Sequence, residues 1–182
     1  EKLSENYFCV SYDIRGLGDS SAGDGQFTME SFVDDLEAII DQLKLDKPIL
    51  CGLSMGGYIG LRALERFEEK FSAVVLCDTR ADADGNEGKS KRAAAIKRIN
   101  TEGLAPFVKD FITNCFGDDY KQTNPEELEK IIAKSSSFNL VGVKGCLLAM
   151  LGRNDTTEFL NKIKIPALVI CGEFDALTPP AV

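Results

Sequence analysis

Short apolar runs that alternate with helical patterns constrain this chain more than any other feature. Residues 48–53, "PILCGL", and 71–80, "FSAVVLCDTR", each hold a run of strand length. Between them, "MGGYIGLRALERFEEK" starts with small residues and ends with charged ones, the pattern of a helix. Earlier, "YFCVSY" at 7–12 is rich in aromatic and β-favouring types and closes on the glycine-rich "DIRGLGDSSAGDG", which predicts a strand and a loop. "FTMESFVDDLEAIIDQLKL" then sets Phe32, Val33, Leu36, Ile39, Ile40 and Leu43 on one helical face. Thr28 stands at its N-cap, with Phe27 and Phe32 placed as a hydrophobic staple. The order β-loop-α-β-α-β needs crossover connections, so it predicts an α/β fold: a parallel, doubly wound sheet covered on both faces.

From about residue 80 to 160 the pattern is helical only. "LAPFVKDFI" puts Leu104, Phe107, Val108, Phe111 and Ile112 on one stripe. "NPEELEKIIAK" offers Asn124 as N-cap, Pro125 at the first helical position and Glu127 three after the cap. "VGVKGCLLAMLG" is a further apolar helix, and a fourth strand, "ALVICG" at 167–172, follows "IKIP". The organisation expected is a core from 1–79 and 161–182 with a helical lid, 80–160, inserted between strands.

The chain has 182 residues, 44% hydrophobic and 27% charged, which suits one globular domain. Its net charge of -8 repels phosphate backbones and anionic membranes, so nucleic acid and membrane partners are not expected. No apolar run approaches the roughly 18 residues of a membrane span. The basic stretch "KSKRAAAIKR" at 89–98 reads as the wet face of a helix. Six scattered cysteines without paired spacing favour a reducing, cytoplasmic setting over a disulfide framework. With no histidine and no C-x-x-C pair, a metal site is not expected either.

Gly52-Leu53-Ser54-Met55-Gly56 has the spacing G-x-S-x-G, with a strand before it and a helix after it. Such a chain turns sharply at the serine, and the flanking glycines are expected because side chains there would strike the adjoining strand or helix. The turn exposes the serine oxygen and aims the next backbone N–H, that of Met55, at a developing oxyanion. The simpler reading keeps Ser54 as a helix cap.

"YDIRGLGDS", "CGLSMGGYIGLRALERF", "AVVLCDTR" and "IKIPALVICGEFDALTPP" together resemble the α/β-hydrolase superfamily, in its lid-bearing esterase, lactonase and enol-lactone hydrolase branch. The resemblance runs over nearly the whole chain. It implies that Ser54 is the nucleophile and that Asp175, in the stretch Gly172-Glu173-Phe174-Asp175, is the acid of a triad. Asp175 as a turn residue and Glu173 as the acid stay open beside that assignment. In the "DIRGLGDS" loop, Arg15, Gly16, Gly18 and Ser20 match the family while Leu17 replaces a frequent histidine. Arg15 and Asp19 are expected to brace the loop, and Asp78 and Arg80 to be ordinary loop residues after the third strand, with a place on the pocket floor as the alternative.

The resemblance implies hydrolysis of small carboxylic esters or lactones through an acyl-enzyme, with no cofactor and no metal. Phe107, Phe111, Leu147 and Met150 are candidates for an apolar pocket or for the lid's own core. The same fold also hosts C–C and thioester hydrolysis, perhydrolysis and non-catalytic binding modules. The family's triad runs Ser, acid, His, yet this sequence has no histidine. The family's opening strands and histidine–glycine turn are also missing from the match. The expectation is a fragment of a longer hydrolase, poorly stable and inactive by itself.

Overall fold

The Thr28 side chain accepts the Ser31 N–H at 3.1 Å and starts α1, Met29–Gln42. Phe27 and Phe32 meet across that cap with ring centroids 6.4 Å apart, so the staple forms. Next come β1 (Ile49–Leu53), α2 (Met55–Phe67) and β2 (Ala73–Cys77), with β3 (Ala167–Ile170) near the far end. The computed structural model describes residues 2–180. Its strands form one parallel sheet in the order β1-β2-β3, with Leu53 opposite Cys77 and Cys77 opposite Ile170.

In β2 burial follows the period of two, whereas β3 is exposed along its whole length. Leu50, Gly52, Val74 and Leu76 share the face that α2 covers, and Val74 is fully buried there. Phe32 and Val33 of α1 join Leu61 and Leu64 of α2 in the same core. On the other face Leu53, Leu168 and Ile170 stay exposed. The expectation of cover on both faces is therefore met on one only among the described residues. No described helix lies over the second face.

Residues 7–12 also depart from expectation. "YFCVSY" is not a strand: it makes no ladder, and Phe8 is 85% exposed. A strand exists only through its partner's hydrogen bonds, and none of the three described strands pairs with it.

Between β2 and β3 run α3 (Asn86–Glu102), α4 (Leu104–Asn114), α5 (Asp118–Thr123), α6 (Pro125–Ser136), α7 (Leu140–Leu151) and α8 (Thr157–Leu160). Ile99, Leu104, Val108 and Leu147 give them a small core of their own. Asn124 occupies the N-cap of α6 as expected, but its side chain makes no cap hydrogen bond, and its amide nitrogen donates to Thr123 Oγ1. Helix α7 lies hard against the first loop. A Cβ on Gly142 would stand 1.8 Å from the Gly16 carbonyl oxygen, and one on Gly145 would stand 2.2 Å from the Phe27 ring.

The two ends of this insertion are stitched together. The Thr156 N–H and hydroxyl both donate to the Ala81 carbonyl, at 2.9 and 3.0 Å, and the Ala83 N–H donates to Asp155 at 3.1 Å. Arg153, buried and lying over the Tyr58 ring, donates to Asp84 at 2.6 Å and to the Asp82 carbonyl. Arg92 also reaches Asp84, so this member of the basic stretch turns inward while Lys89, Lys91 and Lys97 stay in water. No helix among the described residues is long and apolar enough to cross a membrane.

Candidate active site

Ser54 follows β1 directly, and its N–H still donates to the Cys77 carbonyl at 2.9 Å, one rung past the strand. Its backbone then takes φ 51, ψ -113 before α2 begins at Met55. A non-glycine residue in that region costs on the order of 1–3 kcal/mol and persists only where its surroundings impose it. Ser54 is exposed and its side chain makes no cap hydrogen bond, so helix capping does not account for it. The Met55 N–H lies in the first turn of α2, where a helix offers no internal acceptor.

Steric need for glycine is distributed differently from the motif's spelling. A Cβ on Gly52 would come 2.4 Å from the Gly56 carbonyl oxygen, as expected. At Gly56 it would meet nothing within 4 Å, whereas at Gly57 it would strike Thr79 at 2.3 Å. Gly57, not Gly56, is the residue that lets α2 approach the exit of β2. Thr79 uses that proximity, donating its hydroxyl to the Ser54 carbonyl at 2.8 Å.

Asp175 lies in the loop after β3, at the same carboxyl edge of the sheet as Ser54. The two are separated by the width of β2, so roughly 10 Å lies between their strands. One Asp175 oxygen accepts the Leu177 and Thr178 N–H groups at 2.7 and 3.1 Å, and the other accepts the Thr178 hydroxyl. Burial pushes this carboxyl up, but those donors outweigh it and hold the group below 3.8, ionised at neutral pH. A carboxylate has about four lone-pair sites, so one is still available to a further donor. Glu173 is exposed. Cys115, at the end of α4, is raised first by burial and then by the Asp175 charge, which sets the insertion beside the acid loop.

Asp78, a loop residue or pocket-floor residue on sequence grounds, has a defined role at the edge of the sheet. It has φ 43, and its side chain accepts the Gly172 N–H at 2.8 Å. Asp78, Cys171 and Asp175 each bring one potential ligand atom within 4.8 Å of the others. Burial and then the two carboxylates push the Cys171 thiol up. Arg80 pairs with Asp82, away from this group.

Arg15 braces its loop as expected, through Asp35 at 2.8 Å and Asp24 at 3.2 Å. Asp19 takes part only through its N–H, which donates to the Asp13 side chain at 3.0 Å. A cavity of about 340 Å³ opens between this loop and α1, and Ser54 does not line it. Of the pocket candidates, Leu147 is buried in the insertion's core while Phe111 is half exposed and stacked on Phe107.

The family model described as alpha/beta hydrolase fold matches residues 1–182. The chain belongs to the α/β-hydrolase family. Among curated relatives of this hydrolase-fold chain, 3-oxoadipate enol-lactonase 2 of Acinetobacter baylyi is 30% identical over 179 residues, covering 98% of this chain and 66% of that protein. Among solved structures, the enol-lactonase from Burkholderia xenovorans LB400 is 31% identical with a TM-score of 0.89, over 99% of this chain and 68% of its own. A thermophilic esterase from Thermogutta terrifontis is 35% identical with a TM-score of 0.87, over 93% and 62%. The chain thus spans slightly less than two thirds of the length of its curated enol-lactonase relatives.

Proposed function

We propose that the protein containing this chain is a serine hydrolase of small carboxylic esters or lactones. The observation that carries this reading is the backbone of Ser54, a non-glycine residue at φ 51, ψ -113 whose side chain does not cap the helix it precedes. Strain of this kind, maintained by the Cys77 carbonyl and the Thr79 hydroxyl, fits an exposed nucleophile better than a structural turn. The relatives that are enol-lactonases and an esterase support the substrate class.

In the proposed reaction Ser54 Oγ attacks the acyl carbon and gives up its proton to a histidine. The oxyanion that forms is met by the Met55 N–H. Collapse expels the alcohol oxygen, which takes the proton from the imidazolium and, in a lactone, stays tethered to the acyl group. Water then attacks the acyl-enzyme, its proton passing to the histidine, and release of the acid restores Ser54. Asp175 orients the imidazole and balances its charge. A gap of roughly 10 Å between the strands that carry Ser54 and Asp175 suits an intervening ring better than a direct bond. The 182 residues contain no histidine, so on this reading the base comes from elsewhere in the protein. The insertion, α3 to α8, is the proposed lid, and no cofactor or metal is required.

Labelling the full-length protein with a fluorophosphonate tests the reading. Covalent capture that disappears in Ser54→Ala is expected. A folded protein that takes no label points to the other reading, a binding module on the same fold.

A further inference from the structure

Resting on the hydrolase reading above, we propose that Asp78 is a positioning residue for the acid loop. Its side chain supplies the sheet rung that its own backbone gives up.

In a parallel pair every second residue of one strand bonds to its neighbour, its N–H donating to one residue and its carbonyl accepting from the residue two further on. The β2–β3 ladder follows that rule through the Val74 N–H to Pro166 carbonyl bond at 2.9 Å and the Asp78 N–H to Ile170 carbonyl bond at 2.9 Å. The next rung would join the Gly172 N–H to the Asp78 backbone carbonyl. At φ 43, however, Asp78 leaves the extended conformation. The Gly172 N–H goes instead to Asp78 Oδ1, at 2.8 Å. The ladder therefore continues one step past the strands through a side chain.

Aspartate suits the place on two grounds. Its short polar side chain is among the few that tolerate positive φ, and it carries an acceptor at the reach of a backbone carbonyl. What it fixes is the start of the turn that carries Asp175, since the Asp175 N–H donates back to the Gly172 carbonyl at 3.1 Å. Asp78 thus fixes Gly172, Gly172 fixes Asp175, and the loop closes on Thr178. Its neighbour Thr79 holds the Ser54 carbonyl. Two adjacent residues at the exit of β2 address the proposed nucleophile on one side and the proposed acid on the other.

The test compares Asp78→Ala with Asp78→Asn in the full-length protein, by ester turnover and fluorophosphonate labelling. A displaced acid acts on the transition state, so Ala is expected to lower kcat by about 10–100-fold with KM within about threefold. Asn keeps the oxygen acceptor, and it is expected to recover most of that loss. Equal losses in Ala and Asn, or no loss in Ala, overturn the proposal. So does activity that survives Asp175→Asn but not Asp78→Asn, which makes Asp78 the acid itself. Amide exchange at Gly172 in the unmodified protein decides the point even if the Ala variant does not fold: protection is expected, and exchange at the rate of a free loop overturns the rung. If the unmodified protein takes no label, the hydrolase reading fails, and the rung stands or falls on that exchange rate alone.

Discussion

The Thr79 hydroxyl donates to the carbonyl of Ser54 at 2.8 Å, across 25 positions of sequence. The same side chain fills the space that a Cβ on Gly57 would need. One residue past the edge of β2 therefore sets both the angle of the serine turn and the depth at which α2 packs. Thr79→Val keeps the branched shape and removes only the donor. It is expected to cost about 1 kcal/mol in chemical denaturation. Gly57→Ala overpacks the same contact and is expected to cost about 1–3 kcal/mol.

Strain at the serine turn predicts a trade between stability and chemistry. Glycine adopts positive φ without penalty, so Ser54→Gly is expected to stabilise the protein by about 1 kcal/mol while abolishing fluorophosphonate labelling. On the proposed hydrolase reading Ser54→Ala is expected to abolish labelling without that gain, because alanine keeps a Cβ. A paired melt of the two variants checks the difference.

Removing one member of a buried ion pair leaves its partner charged and unsolvated. Arg153 and Asp84 are 3% and 9% exposed at their side chains. Arg153→Met is expected to destabilise by about 3 kcal/mol, at the low end for a broken buried pair because Arg92 still faces Asp84. Arg98→Met, which removes exposed pairs to Glu102 and Asp110, is expected to cost less than about 1 kcal/mol. Denaturation of both variants under one condition makes the comparison.

Acid should weaken the base of the insertion first. Burial pushes the Asp84 carboxyl up, but the guanidinium groups of Arg92 and Arg153 outweigh it and hold it below 3.8. Its folded value is thus lower than its unfolded one. The resulting stability is present above about pH 4 and is lost as pH falls through the depressed folded value. Asp82 and Asp155, held low by Arg80 and by the Thr157 N–H respectively, act in the same direction. The melting temperature of Asp84→Asn is expected to fall less steeply below about pH 4 than that of the unmodified protein.

Local patterns carried the reading of the sequence as far as local forces reach. The Thr28 cap, its aromatic staple, and the faces of α1 and α2 involve residues within a few positions of one another, so spacing reveals them. The serine turn is local too, and its glycines gave it away, although the close contact fell to Gly57 and not Gly56. "YFCVSY" failed because strand formation depends on a neighbour that sequence spacing does not specify. Asn124 takes the N-cap position that its spacing before Pro125 predicts, yet spacing does not reveal that its side chain leaves the cap bond unmade. Arg153 went unnoticed: nothing in "GRND" announces a partner 69 positions upstream. Asp78 looked like any residue after a strand, since its partner lies 94 positions away in the chain.

The stitched ends of the insertion bear on how such a protein can change over generations. Bonds between residues 81–84 and 153–156 close the segment like a drawstring, before its own small core begins. Substitutions among α5 and α6 can therefore accumulate without loosening the sheet that carries Ser54 and Asp175. Sequence change inside the segment is thereby kept apart from the strands that it interrupts.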